Sequence, residues 1–428
     1  MSAPLPRVDP REVGLAPDRL RRIDEHFQAY VDDGRLSGWL VAVARHGRVA
    51  HLSTCGSADA SGNRAFVDDT VVRLYSMTKP VTSVAAMMLV ERGLLGLKDP
   101  VSRYLPEFGE SMVFAGGTEE DPVLIPQDRP MLIWHLLTHT AGLTYGFQQQ
   151  DPVDAMYRAA GFEWGYPEGF DLTDCCRAWA SLPLLFQPGT EWNYSIATDV
   201  LGRVVEVVSG MTLDRFFEDE ILGPIGMHDT SFAVPPERQD RLADLFIPDP
   251  ATGRAVQAPS SLVRPNPPRV LSGGGGLYGT ADDYLRFCQM VLNGGELDGV
   301  RLLGRHTVGY MARNHLPGDA DLEAYGRPLF SETTYDGIGF GLGFSVVIDA
   351  AANKVPCSEG ELAWGGAAST AFWIDPAESL SVVFLTQLLP SSTHPIRPEL
   401  KQLVYQSLVN CPTDWFKRVL SMWDRRVR

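Results

Sequence analysis

A serine and a lysine three residues apart, in "RLYSMTKPVTS" (73–83), are the residues of this chain best placed to do chemistry. The chain holds five lysines in 428 residues, and only Lys79 has a serine, Ser76, three positions before it. On a helix that spacing puts both side chains on one face. A serine hydroxyl is a poor nucleophile until something removes its proton. A lysine can do so where burial and the positive end of a helix draw its pKa towards neutrality. Backbone N–H groups at the same helix end would stabilise an oxyanion. The competing reading makes Ser76 a simple N-cap and Lys79 a solvated surface residue, because S-x-x-K is a short pattern. The apolar residues on both sides of the motif make a solvated lysine less natural.

The elements around the pair follow from residue type. "VVRLY" is of extended type up to Tyr75, and a helical pattern starts at Ser76. Pro80 is tolerated there only in a first turn, where no intrahelical N–H is yet needed. Upstream, 18–33 has apolar positions at helical spacing, and "GWLVAVARHGRVAHLSTCG" reads as a hairpin turning at His46-Gly47. Helical signals dominate from about 70 to 300. Strands are expected at 341–349, 368–375 and 379–388, then a helix at about 396–410. Strands at both ends with helices between predict an α+β fold with one antiparallel sheet assembled from both termini. The expected division is residues 1–70 with 300–428 as the sheet-bearing domain and 71–299 as a mainly helical domain, with the active site at their interface.

Whole-chain properties exclude several classes. A net charge of −16 without a Lys/Arg run argues against a nucleic-acid or anionic-membrane partner. The N-terminus has Pro and Asp where a signal peptide needs an apolar stretch, and "VTSVAAMMLVERGLLGL" is too short and too interrupted to span a bilayer. A soluble, cytoplasmic protein is expected. The six cysteines (55, 175, 176, 288, 357 and 411) lack metal-ligand spacing and are expected to be reduced and structural.

Further motifs complete a constellation. "FQPGTEWNYS" leads through a Pro-Gly loop to Tyr194-Ser195 and a helix, and in "ELAWGGAASTAFWID" Trp364-Gly365-Gly366-Ala367 opens an apolar strand. With "SMTKP", "LIWHLLTHTAGLTYGF", "ILGPIGMHDTSF" and "SGGGGLYGTADDYLRF", in this order, the chain resembles the serine β-lactamase and penicillin-binding-protein superfamily. Within it, the chain is most similar to the family VIII carboxylesterases and their acyltransferase relatives, which look like class C β-lactamases. The resemblance implies Ser76 as acylated nucleophile, Lys79 as base or proton relay, and Tyr194 as proton shuttle. It also implies an oxyanion hole from the N–H groups of Ser76 and Ala367, and a substrate-binding strand at Trp364, Gly365 and Gly366. Two departures bear on specificity. Trp364 stands where β-lactamases have the lysine of K-T-G, and Ile196 where their tyrosine motif has asparagine. Both favour a neutral ester over an anionic β-lactam.

Other candidates read as structural. His139 in "LLTHTAGL" is expected to be a hydrogen-bonded structural histidine, with a general-base role as the alternative. His135 and His139 are four apart, as on zinc helices, but no Glu follows His135 and no third ligand is evident, so no metal is expected. "SGGGGLYG" lacks the ending of a phosphate loop and reads as a tight turn allowing close backbone approach. The aromatics between Tyr145 and Phe170 divide between pocket wall and core. G-x-S-x-G is absent. The expected function is a cofactor-free serine carboxylesterase acting on small, short-chain esters through an acyl-enzyme on Ser76. The alternatives are an acyltransferase of the same mechanism, a weak β-lactam hydrolase, and a non-catalytic scaffold.

Overall fold

The computed structural model describes residues 4–327 and 334–409. At its centre is a seven-stranded sheet, with each strand antiparallel to its neighbours. Its strands are β1 (Gly38–Arg45), β2 (Arg48–Gly56), β3 (Ile338–Phe340), β4 (Ser345–Val347), β5 (Leu362–Gly365), β6 (Ala371–Asp375) and β7 (Leu380–Leu385). The spatial order is β3-β4-β5-β6-β7-β1-β2, so the first hairpin of the chain docks on its last strand.

The sheet's position in the middle of the fold explains its composition. β1 is buried along its whole length, and its alternating side chains serve two different cores. Leu40, Ala42 and Ala44 face one, while Trp39, Val41 and Val43 face the other. β7 divides likewise, with Val383 and Leu385 on the first side and Leu380, Val382 and Phe384 on the second. A strand covered on both faces has no reason to alternate with polar residues, hence the unbroken apolar runs. Helices α1 (Pro17–Asp32) and α5 (Ile396–Tyr405) cover the second face, α1 through Leu20, Ile23, Phe27 and Tyr30. On the first face lie α2 (Thr78–Glu91), α3 (Ala197–Ser209) and α4 (Ala281–Leu292). The β1–β2 turn is at His46-Gly47, both at positive φ (52° and 74°), as the two-residue turn of a right-twisted hairpin requires.

Several expectations need correction. The chain is not extended up to Tyr75: that residue has φ 46° and starts a 3-10 turn, Tyr75–Met77, ahead of α2. The chain must swing from the short strand Val72–Arg73 into a helix within two residues, and Tyr75 takes up the reversal. The stretch 341–349 is not one strand, because Gly341–Phe344 turn the chain between β3 and β4, with Gly343 at φ 93°. Likewise 368–375 is not one strand. Trp364 and Gly365 end β5, residues 366–370 turn, and β6 starts only at Ala371. The last helix ends at Tyr405; residue 410, its expected end, lies outside the described residues, as does Cys411. The helical stretch from 70 to 300 also carries three unforeseen hairpins, Met112–Gly117 with Pro122–Pro126, Phe246–Pro248 with Ala255–Gln257 and, at its end, Glu296–Leu297 with Val300–Arg301. Cys55, Cys175, Cys176, Cys288 and Cys357 are free thiols. No helix among the described residues is long and apolar enough to cross a membrane.

Candidate active site

Three chain segments bring Ser76, Lys79 and Tyr194 together. Ser76 lies in the 3-10 turn that leads into α2, and Lys79 lies in the first turn of α2. That helix is buried on every side from Thr78 to Leu89, so the lysine enters the interior with only 2% of its surface exposed. Tyr194 sits just before α3. Its loop is fixed by the Asn193 amide donating to the Leu143 carbonyl at 2.9 Å and by the Asn193 N–H donating to the His139 carbonyl at 2.9 Å.

The distances are those of a proton-transfer cluster. Tyr194 Oη donates to Ser76 Oγ at 2.6 Å, and Lys79 Nζ lies 3.3 Å from the same oxygen. The other donors of Lys79 go to the Gly274 carbonyl at 2.7 Å and to Tyr145 Oη at 3.0 Å. An ammonium has three N–H donors, so this set accounts for all of them. No carboxylate among the described residues forms an ion pair with Lys79, and its Nζ lies 4.5 Å from the centroid of the Tyr194 ring.

Tyr145, Gly274 and Asp199 were not singled out from the sequence as parts of this cluster. Burial, reinforced by the negative charge of Asp199, holds the Tyr145 hydroxyl well above the ordinary phenol range. At neutral pH it is therefore a neutral partner for Lys79. Asp199 Oδ1 accepts from Ser272 Oγ at 2.5 Å and from the Gly274 N–H at 3.1 Å, which aims the Gly274 carbonyl at the lysine. The glycine run allows this approach. A Cβ on Gly274 would lie 2.4 Å from Asp199 Oδ2, and one on Gly273 2.7 Å from the Thr198 carbonyl. The close-approach reading of "SGGGGLYG" holds, and what approaches is the anchor of Lys79.

Trp364 lines the cavity, but its indole N–H donates to Tyr194 Oη at 3.3 Å, and its ring packs on Tyr194 and Phe340. Gly366 lets the strand end reach the Ser76 turn, since a Cβ there would be 2.4 Å from the Leu74 carbonyl. Gly365, Gly366 and Ala367 line the same cavity as Ser76, Tyr194 and Ile196.

The histidines belong to the scaffold. His139 Nδ1 pairs with Ser195 Oγ at 3.2 Å, and burial together with the nearby Lys79 charge keeps its pKa well below the usual histidine value. His135 Nδ1 accepts from the Leu132 N–H at 3.0 Å, and burial lowers it to about 4. The cavity, about 320 Å³, is walled by Tyr145, Phe147, Trp164 and Tyr166, with Phe147 stacked between Tyr145 and Trp164 at 4.7 Å from each. Tyr157, by contrast, is fully buried core.

Comparison with known proteins places this geometry. The family model described as Beta-lactamase matches residues 23–406. Esterase EstB of Burkholderia gladioli is 35% identical over 417 residues, covering 93% of this chain and 98% of EstB. The structure of EstCE1, described as a hydrolase with promiscuous acyltransferase activity, superposes with a TM-score of 0.74 at 31% identity, covering 91% of this chain and 99% of EstCE1. Simvastatin synthase (LovD) from Aspergillus terreus shares the fold, with a TM-score of 0.79 at 23% identity over 92% of this chain and 98% of LovD. The chain belongs to the β-lactamase family, in which it is a serine hydrolase of the family VIII esterase type.

Proposed function

We propose that this protein is a carboxylesterase that cleaves small, short-chain esters through an acyl-enzyme on Ser76. The observation that carries the reading is the convergence of Tyr194 Oη and Lys79 Nζ on one serine oxygen, at 2.6 and 3.3 Å, inside an apolar cavity. In this reading Lys79 is a neutral amine when the ester reacts: Ser76 Oγ attacks the ester carbonyl as its proton passes, with Tyr194 as the relay, to Lys79, which becomes the ammonium. The Ser76 and Ala367 N–H groups receive the oxyanion. Tyr194 then protonates the departing alkoxide, and water reverses the sequence to release the acid. The Lys79 ammonium formed in that step, over the Tyr194 ring, and the Trp364 N–H on the Tyr194 oxygen both favour negative charge at that oxygen.

The division into a sheet-bearing unit (1–70 with 300–428) and a helical unit (71–299) is part of the proposal. It is supported by the meeting of Trp364 on β5 with Ser76, in the turn that leads into α2, around one cavity. Acyl transfer to an alcohol in place of water is a second reading, favoured by the description of EstCE1. The deciding experiment is intact-mass analysis after incubation with p-nitrophenyl esters, with and without added alcohol. Wild type should carry a transient acyl adduct on Ser76, and Ser76→Ala should carry none. Ser76→Ala turnover above roughly a hundredth of wild type would remove Ser76 as nucleophile, since losing a nucleophile costs far more.

A further inference from the structure

Arg264, in the loop before the glycine run, was not singled out by any sequence motif, yet it lines the same cavity as Ser76. Its guanidinium lies near two aromatic rings, 5.6 Å from the Tyr75 centroid and 5.5 Å from that of Tyr166. One Nη1–H donates to the Gly275 carbonyl at 2.9 Å. A guanidinium has five N–H donors, and this bond uses one. No carboxylate among the described residues pairs with it. Asp199, on the same wall, already has its Oδ1 engaged by Ser272 and Gly274.

The other cations on the cavity are engaged elsewhere. Lys401 pairs with buried Glu361, Arg397 donates to the Gly366 and Thr370 carbonyls, and Lys354 lies 3.7 Å from Asp336. Arg264 thus combines a fixed charge, aromatic neighbours that restrict hydration, and unused N–H donors in a planar fork. Carboxylates match that fork in shape and charge.

Resting on the assignment of Ser76 as nucleophile, we propose that Arg264 determines specificity by receiving a carboxylate remote from the scissile ester, so that the preferred substrates are carboxylate-bearing esters. The charge comes from the loop wall beside Tyr75, and β5 carries Trp364 where β-lactamases carry a lysine. The cavity therefore receives an anion at a different place from a β-lactamase.

The test uses two matched ester pairs on the full chain. Mono-4-nitrophenyl glutarate is compared with its methyl ester for the acyl side, and 3-carboxyphenyl butyrate with 3-carbamoylphenyl butyrate for the alcohol side. In wild type the anionic member of at least one pair should have the higher kcat/KM by about tenfold or more at low salt, as for a charge-assisted hydrogen bond. Arg264→Gln should bring that ratio close to one, and Arg264→Lys should retain part of it. Taking the ratio within each variant cancels any loss common to both esters. A wild-type ratio within twofold of one for both pairs, or a ratio that survives Arg264→Gln, overturns the proposal. Should Arg264→Gln not fold, wild-type inhibition by 3-phenylpropionate and by its amide decides instead. The acid should inhibit about tenfold better, and equal inhibition overturns the inference. Neutral-ester turnover that depends on Ser76 while the pairs do not differ defeats this inference alone; absence of any ester turnover defeats both it and the esterase reading.

Discussion

Replacing Trp364 by phenylalanine removes one N–H and leaves most of an aromatic ring in place. That N–H is 3.3 Å from Tyr194 Oη, the oxygen that lies 2.6 Å from Ser76 Oγ. If Trp364 acts through Tyr194, its hydrogen bond gains strength as the tyrosine oxygen gives up its proton and becomes negative. Hydrogen bonds to charged groups are worth about 1.5–3 kcal/mol, against about 1 kcal/mol between neutral partners. At 3.3 Å the lower end applies, so the bond gains about 0.5 kcal/mol in the transition state and kcat should fall about two- to threefold. KM should hardly move, because the bond matters in the transition state more than in the bound ground state. The ring contacts with Tyr194 and Phe340, at centroid distances of 5.3 and 5.4 Å, are largely kept by phenylalanine, so the loss of stability should stay near 1 kcal/mol. The assay is steady-state hydrolysis of p-nitrophenyl butyrate by both proteins, with Tm measured alongside. An unchanged kcat with a several-fold higher KM would refute the reasoning, since that pattern belongs to a residue that only walls the substrate.

For substrate class, kcat/KM for a short-chain p-nitrophenyl ester should exceed that for the best cephalosporin by at least about a thousandfold, or roughly 4 kcal/mol. Trp364→Lys should narrow that gap, and equal wild-type efficiencies or no relative gain in the variant would contradict the account. Gly274→Ala puts a methyl 2.4 Å from Asp199 Oδ2 and 3.1 Å from Tyr145 Oη, displacing the carbonyl that holds Lys79. Esterase kcat should drop at least about tenfold and Tm should fall; unchanged values of both would separate the loop from the site. Burial raises Asp283 to about 7 while its carboxylate accepts from the Asp229 N–H and the Thr230 hydroxyl. A folded-state pKa above the unfolded one makes the native state bind the extra proton between about pH 4 and 7, so stability gained from this group is lost as pH rises through 7. Wild type should therefore gain about 2 kcal/mol relative to Asp283→Asn between pH 8 and pH 5, read by urea unfolding, and parallel pH profiles would show that Asp283 does not titrate in this way.

What could be seen in the sequence and what could not divides along sequence separation. The relation between Ser76 and Lys79 is local, set by a three-residue spacing and by a proline that fixes where the helix starts, so residue types alone bring it out. The apolar run of β1 and the turn at His46-Gly47 are local too, and the sheet strands of both chain ends could be anticipated from their apolar runs. The misplaced boundaries have two origins. Gly341–Phe344 and 366–370 hold glycine and small residues that suit a turn, where the chain doubles back between neighbouring sheet positions, and the apolar runs beside them hid that signal. Tyr75 looks extended but takes φ 46° to swing the Ser76 turn onto α2.

The site residues that escaped notice are those whose role exists only after folding. Tyr145 is 66 positions from Lys79 and the Gly274 carbonyl 195 positions away. Nothing in an aromatic-rich loop or a glycine run says which lysine they will meet. Asp199 offered a fainter signal, an acid in the first turn of an apolar helix that is 1% exposed once folded. A buried carboxylate has to be satisfied, and here the Ser272 hydroxyl and the Gly274 N–H satisfy it. That requirement ties α3 to the glycine run, and the glycine run to Lys79. The short Ser-Lys spacing therefore brings the proposed nucleophile and base together, while the lysine's orientation is set by a carbonyl, a phenol and a carboxylate from distant parts of the chain. A conservative change at Asp199 should accordingly lower activity without touching Ser76, Lys79 or Tyr194: Asp199→Asn keeps the volume but loses the charge that draws in both donors. Its kcat should fall several-fold at constant KM. If kcat is unchanged while the fold is intact, the Gly274 carbonyl does not depend on Asp199 and the chain of support ends at the glycine run.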